Sequence, residues 1–384
     1  MPFTRGRSGG GDRAQAVVVG AIVLFGFAVA LLGVLQLQFV PAQVQGEELV
    51  HSDRIGEELV SVGTAQWDAA TAGEVATTHV TVGLNYRDRF VLRNPHPARG
   101  RLALEPLGNL SVTNVTAVEA GGPAEQRGPF GPFPTAALVY TPDYDQYTGA
   151  PVTVVEPHVA YDRFADGATV VEAEWSFVDD TRITLVTVTG SLSSSGRLAE
   201  PVGVGPVSTP VSSLAVTDTG DGPLTLHVPT ELSNERWAAI LEPESVANGG
   251  HVVSHGVTDG VLTVVLESGV TYDLRLARVG IGPAQSPATE PATHVTVVSG
   301  GERTVPPNGS QLVVVEARDR FHNPVVGARV RADDSATVGT VASTSRLTSD
   351  PALGVTGENG RVSFLLTAPS DATANTTAVG FELD

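Results

Sequence analysis

The chain has 384 residues, enough for two or three domains of roughly 100–200 residues each. Its 42 acidic residues outweigh 23 basic ones, all of them arginine, giving a formal charge of −19; a surface this negative repels nucleic acid and excludes a DNA or RNA partner. Cysteine is absent, which excludes disulfides, thiolate metal sites and a cysteine nucleophile. Acid excess without lysine reads as adaptation to high salt, where carboxylates hold hydration and screening removes much of their repulsion. The 42 glycines and 26 prolines, with 5% aromatics, predict many turns and short strands.

Residues 1–13 form a short basic tail with Arg5, Arg7 and Arg13. From Ala14 to Val40 no charge occurs. A hydrocarbon layer of ~30 Å needs about 20 helical residues, so this run is long enough to span. It outlasts the ~7–15 apolar residues of an ordinary signal peptide, and "QLQFVPAQVQ" offers no A-x-A cleavage site. The arginines precede the run and the acidic "GEELVHSDRIGEELV" (46–60) follows it. That asymmetry places the N-terminus in the cytoplasm and everything after about residue 41 outside. Arg13-Ala14-Gln15, directly ahead of the apolar run, resembles the processing site of archaeal type IV prepilins. The resemblance covers about 25 residues. It implies a cut after Ala14, a mature chain starting at Gln15, and self-association through the N-terminal helix.

Residues 41–76 read as a membrane-proximal helical stalk, with Leu49, Ile55, Leu59 and Val62 roughly on one face. Gly46, Gly56 and Gly63 weaken that reading. The acid pairs Glu47/Glu48 and Glu57/Glu58 read as a solvated face.

From Thr77 to residue 281 the pattern turns to alternation. Strands are predicted at 78–84, 89–94, 101–107, 110–119, 136–142, 151–157, 167–179 and 181–192, all β-branched and bounded by turn residues. A hairpin is expected over 215–228 around Gly220-Asp221-Gly222. "ERWAAILEPE" (235–244) is the one predicted helix, and strand then returns up to about Gly280. No helices separate the strands, so the expectation is one large antiparallel β-sandwich or two smaller ones. "GPAQSPATEPAT" (282–293) reads as an extended linker.

In the last segment, 294–384, Val313, Val315 and Ala317 alternate inward. Asp319 to Pro324 turns, and Val326, Ala328 and Val330 resume. Glu358-Asn359-Gly360 turns again before Val362, Phe364 and Leu366. These stretches resemble the bacterial immunoglobulin-like domain of the invasin/intimin type, with its Asp-x-x-x-Asn-Pro-Val-x-Gly turn and later Asn-Gly turn. The resemblance covers about 80–90 residues and implies a rigid spacer or adhesive module. It also implies a short final strand, since "TTAVGFELD" ends the chain. The whole arrangement, with "RAQAVVVGAIVLFG", "FPTAALVYTPDYDQY" and "TRITLVTVTGSLS", is similar to a haloarchaeal family of membrane-anchored surface proteins. No function comes with that resemblance.

Four Asn-x-Ser/Thr sites, at Asn109, Asn114, Asn308 and Asn375, are glycosylation candidates in the exterior part. His251 and His255 share a strand face some 13 Å apart, too far for a common metal. "TPDYDQYTG" (141–149) and "TDTGDG" (217–222) match no calcium-loop pattern and read as turns. Tyr140, Tyr144, Tyr147 and Tyr161 read as core. No nucleophile elbow or phosphate loop occurs, so no catalytic, cofactor-binding or metal residue is assigned and no cofactor is expected. The sequence therefore predicts a mainly β protein: N-terminal transmembrane helix, β-sandwich ectodomain and C-terminal immunoglobulin-like β-sandwich. The expected role is a single-pass cell-surface protein, structural or adhesive and not an enzyme, meeting envelope proteins, glycans or other cells. A pilin-like filament subunit is the alternative, and an envelope hydrolase ranks below both.

Overall fold

The structure, a computed structural model, describes residues 11–118, 130–196, 198–211, 213–283, 289–301, 303–333, 340–345, 350–370 and 379–384. It is mainly β with one long N-terminal helix. Helix α1 (Gly11–Val34) passes through a π-helical segment (Leu35–Phe39) into α2 (Val40–Ala72). The helix is thus continuous from Gly11 to Ala72, about 90 Å long. The π segment has a local cause. Pro41 sits in the first turn of α2 and cannot donate to the preceding turn, and the Val40 N–H bonds the Leu35 carbonyl in the wider register. Gly73, with φ 73°, closes the helix in the left-handed conformation.

Among the described residues, sixteen strands, one short α-helix and two 3-10 turns (Glu242–Glu244 and Val246–Asn248) follow before the C-terminal segment: β1 (Ala76–Thr81), β2 (Arg99–Thr113), β3 (Val115–Ala117), β4 (Phe130–Asp143), β5 (Val152–Glu156), β6 (Val159–Arg163), β7 (Thr169–Glu174) and β8 (Val178–Asp179); then β9 (Arg182–Gly190), β10 (Ser193–Gly196), β11 (Ala199–Ser208), β12 (Leu214–Asp218), β13 (Thr225–Pro229), α3 (Asn234–Leu241), β14 (Val252–Thr258), β15 (Val261–Leu266) and β16 (Tyr272–Gly282).

They form two sheets. In sheet I, β16 carries β9 along one edge and β12 then β11 along the other; β8, β3 and β1 complete it. Sheet II runs β14-β15-β13-β2-β4-β5-β6-β7, with β10 also on β2. One core joins the sheets, from Leu110, Val112, Phe133, Val154 and Tyr161 on one side to Ile183, Leu185, Val216, Leu274 and Leu276 on the other. Trp237 of α3 packs into it. A second core takes the opposite faces of the same strands. Val186, Val188, Leu138, Tyr140, Ala277 and Val279 pack there against Ile55, Leu59, Val62, Ala69 and Ala70 of α2. This explains why "ITLVTV" in β9 is buried at every position from Ile183 to Val188: each face has an apolar partner.

Three expectations change. Residues 89–94 form no strand and lie in an irregular loop between β1 and β2. The 215–228 stretch turns at Gly220 (φ 82°), but β12 joins sheet I and β13 joins sheet II, so it links sheets and does not pair with itself. The pairing of β9 with β16 is parallel from Arg182/Asp273 to Gly190/Ile281. Its long connection runs through β10 to β15 and includes α3, so the parallel pair forms across a mostly β connection and not across a single crossover helix.

The C-terminal unit has strands β17 (Ala292–Ser299), β18 (Ser310–Asp319), β19 (Arg329–Ala332), β20 (Thr340–Ser343), β21 (Leu353–Val355), β22 (Arg361–Thr367) and β23 (Phe381–Leu383). Sheet III is β17-β18-β22-β20 and sheet IV is β21-β19-β23. Val313, Val315, Ala317, Val362 and Phe364 of the first meet Val330 and Ala332 of the second in one core. Val326 does not point inward as expected: it is exposed, in a turn ahead of β19. Gly360 sits at φ 70° against Pro324, a close approach that a side chain would block. Of the expected linker, residues 289–291 are held in place. The Glu290 N–H bonds the Val207 carbonyl, and its carboxylate pairs with Arg278 and Arg320 at 2.9 and 2.7 Å.

Candidate functional site

From Ala16 onward, helix α1 is apolar on every side. From Ala16 to Val34 every side chain is exposed, and no charged residue interrupts the run. A helix apolar all round has no solvent face. This one is long and apolar enough to cross a membrane.

The environment changes at the π segment. From Val40 onward one stripe is buried: Val44, Glu48, His51, Ile55, Leu59, Val62, Gln66 and Ala69, spaced by three and four. This stripe packs on β1, β11 and β16 of sheet I and on β5, β6 and β7 of sheet II. The stretch read as a stalk is a structural member of the β-rich unit. Gly63 has a packing reason, since a methyl group there would stand 2.1 Å from the Trp175 ring.

Glu48 corrects the solvated-face reading, because it is fully buried. Its Oε1 accepts the Asp145 N–H at 2.8 Å, and its Oε2 accepts the Gln146 and Tyr147 N–H groups at 2.9 and 2.7 Å. The Tyr86 hydroxyl donates to the same carboxylate. Burial and that bond push the Tyr86 phenol up, so it stays a donor. The "DYDQY" loop therefore turns its amides onto a carboxylate, the opposite polarity to a calcium cradle. Beside it, His51 holds the Thr81 carbonyl at 2.9 Å with Nε2 and the Tyr144 hydroxyl at 2.6 Å with Nδ1. Nε2 must carry the proton, since a carbonyl only accepts, so Tyr144 donates to Nδ1. Burial lowers the His51 pKa, which keeps the ring neutral in this arrangement. Glu58 also faces inward, accepting the Thr81 N–H at 2.7 Å, while Glu57 is exposed.

A second junction joins the C-terminal unit to the β-rich unit. Asp319 accepts the Phe321 and Asn323 N–H groups at 2.8 and 3.0 Å and the Ser208 hydroxyl at 2.5 Å. Asn323 donates to Ser208 Oγ at 2.7 Å and to the Leu276 carbonyl at 2.6 Å. Phe321 stacks on Phe133 at 4.5 Å and enters the core between sheets I and II. The motif that carried the immunoglobulin-like resemblance, Asp319 to Pro324, is thus also the seam between units.

Arg13, Ala14 and Gln15 lie in the first turns of α1; their side chains are outside the described residues, as is Asn375. Asn109 is exposed on β2. Asn114 and Asn308 are exposed in left-handed turns at φ 55° and 58°, and Asn114 Nδ2 donates to the Pro223 carbonyl at 3.2 Å. His251 is held between Asp180 and Glu267 at 3.1 and 2.8 Å, apart from His255. Asp218 ties the second acidic turn through the Gly220 and Gly269 N–H groups. No group of three metal-ligating side chains occurs among the described residues. Tyr140 and Tyr161 are fully buried, whereas Tyr144 and Tyr147 stack at 6.2 Å on the helix side.

No protein-family model matches the chain. It is similar to an uncharacterised protein of Archaeoglobus fulgidus, 22% identical over 318 residues. The match covers 82% of this chain and 52% of that protein, so the chain spans about half the relative's length.

Proposed function

We propose that the chain is a single-pass cell-surface protein of the haloarchaeal membrane-anchored kind, with its N-terminus in the cytoplasm and its β-rich bulk outside. Its role is structural or adhesive, without catalysis. It holds a C-terminal immunoglobulin-like β-sandwich out toward envelope proteins, glycans or other cells. The observation that carries this reading is the switch along one unbroken helix. From Ala16 to Val34 its side chains are exposed and apolar, and from Val40 one stripe is buried in the β-rich unit. Lipid satisfies the first part and protein the second. The arginine-bearing tail before α1 supports the orientation. Two small sheets around one core, joined by the Asp319–Pro324 turn, support the immunoglobulin-like assignment.

The test is fractionation with surface proteolysis of intact cells. The chain should stay in the membrane pellet through an alkaline carbonate wash, and external protease should remove material beyond about residue 41. Full-length chain in the soluble fraction, untouched by protease, would overturn the proposal. A filament subunit is the second reading, favoured by an all-round apolar α1 continuous with a rigid rod, which copies of α1 would also cover. Mass spectrometry of the mature N-terminus decides. A chain starting at Gln15 supports the pilin reading, and one retaining Arg13 supports the plain anchor.

A further inference from the structure

We propose that the loop of residues 84–98 is a second membrane contact, seating Phe90 and Val91 in the outer headgroup layer with the exposed Arg87 and Arg93 directed to lipid phosphates. The inference rests on the membrane-anchor reading and extends it to a surface no motif announced. The loop's height is fixed by α1. Counting ~20 helical residues from Ala16 across a ~30 Å hydrocarbon layer ends at about Gln36. After Gln15, Gln36 is also the first strongly polar residue of the run. Its side chain clamps the loop through both ends of its amide: Nε2 donates to the Arg93 carbonyl at 2.8 Å, and the Arg93 N–H donates to Oε1 at 2.8 Å. Leu84, Leu92 and Tyr86 pack with Val40 and Val44 of α2, which pins the loop on the helix at that level.

Phe90 lies three residues from the clamp, within about 10 Å of extended chain. It is fully exposed, and Val91 is 65% exposed. A fully exposed phenylalanine in water is unfavourable, and at a bilayer interface it is an anchor. Charge points the same way. Elsewhere in this acidic chain Arg101, Arg163, Arg182, Arg278, Arg329 and Arg361 each meet a carboxylate, while others, Arg54, Arg99 and Arg275 among them, are scattered without one; among the described residues only the loop gathers unpaired arginines around an exposed apolar tip. Arg87 and Arg93 are exposed and have no carboxylate partner among the described residues, whereas both Arg89 Nη atoms are buried and face away from lipid. Two exposed guanidinium groups, Arg87 and Arg93, flank the apolar tip and outnumber the loop's one carboxylate, Asp88; level with the end of a spanning helix, they match anionic headgroups in sign and depth. The alternation in "RFVLRN" that mimics a strand fits this amphipathic layout.

The absence of cysteine makes the test clean. Full-length protein with Val91→Cys is spin-labelled and reconstituted in vesicles of phosphatidylcholine with phosphatidylglycerol. Oxygen, which enters lipid, and an aqueous nickel chelate then compete to relax the label. The label at 91 should be several-fold more accessible to oxygen than to nickel. Phe90→Ser in the same labelled chain should reverse that ratio, as should replacing Arg87 and Arg93 by glutamine. A Phe27→Cys label reports the anchor itself, and a Val326→Cys label reports a site in the C-terminal unit. If label 27 is immersed and label 91 meets nickel freely, the loop proposal falls and the anchor stands. If label 27 meets nickel, the anchor reading falls with it. A label at 91 shielded from both reagents, with broadening relieved by unlabelled protein, would assign the surface to a second copy and overturn the lipid contact.

Discussion

At the scale of single residues, glycine in α2 separates propensity from packing. A methyl group at Gly56 meets nothing within 4 Å, whereas one at Gly63 would overlap the Trp175 indole. Gly56→Ala should therefore raise stability by about 0.5–1 kcal/mol, and Gly63→Ala should lower it, both read from denaturant melts of the detergent-solubilised chain. Glu156 gives a pH test. It is buried between sheets and α3, accepting the Tyr161 and Thr230 hydroxyls at 2.9 and 2.6 Å and the Glu231 N–H at 2.7 Å. Burial outweighs those bonds and pushes its carboxyl from an ordinary 4.5 up to about 7. Between those values the folded chain holds a proton that the unfolded chain has released, so this contribution is complete below pH 4.5 and fades as pH rises through 7. Against non-titrating Glu156→Gln, the wild-type advantage should shrink by about 3 kcal/mol from about pH 4.5 to 8. A difference that stays flat or grows would contradict the assignment.

At the scale of elements, the α2 stripe depends on Glu48 as much as on its aliphatic residues. Glu48→Gln puts an NH₂ group against backbone N–H donors and leaves at least one of them without an acceptor, at about 1–3 kcal/mol each. Hydrogen exchange should speed up in residues 143–149 and stay slow in β9. The stripe was partly legible: of Leu49, Ile55, Leu59 and Val62, the last three are buried on it, while Leu49 is exposed, one residue past the buried Glu48. Glu48, His51 and Gln66 fall in the same three-and-four rhythm but were masked by their polarity, because binary pattern reads a buried carboxylate as surface. Most strands from β1 to β9 announced themselves by alternation. Residues 89–94 alternated too, for a different reason, and β10 and β11 went unseen because "SSSG" and "AEPVGVGPVS" carry little β-branched signal. The parallel β9–β16 pair was beyond reach, since pairing across some 80 residues leaves no local mark. The Asp319–Pro324 turn was legible as a turn; its place against Ser208 and Leu276 was not, because contacts between units have no period.

At the scale of the whole molecule, two junctions make the units mechanically one. The first is α2 embedded in both sheets; the second is the turn that puts Phe321 into the neighbouring core. Phe321→Ala should therefore destabilise the β-rich unit as well as its own, by about 3–5 kcal/mol, with faster exchange at Leu274 and Leu276. A loss confined to β18 and β19 would mean the units melt independently. The Thr209 hydroxyl bonds the Ala69 carbonyl, next to the Ser208 clamp. The C-terminal unit is thus held at the far end of α2, about 50 Å along the helix from Gln36. The helix runs without interruption from Gly11 to Ala72, the π segment Leu35–Phe39 being its one irregularity, so this rod acts as a crankshaft. A twist at its greasy end turns the distal tip through the same angle, and a tug on that tip arrives at the lipid as force, with no slack chain to absorb it.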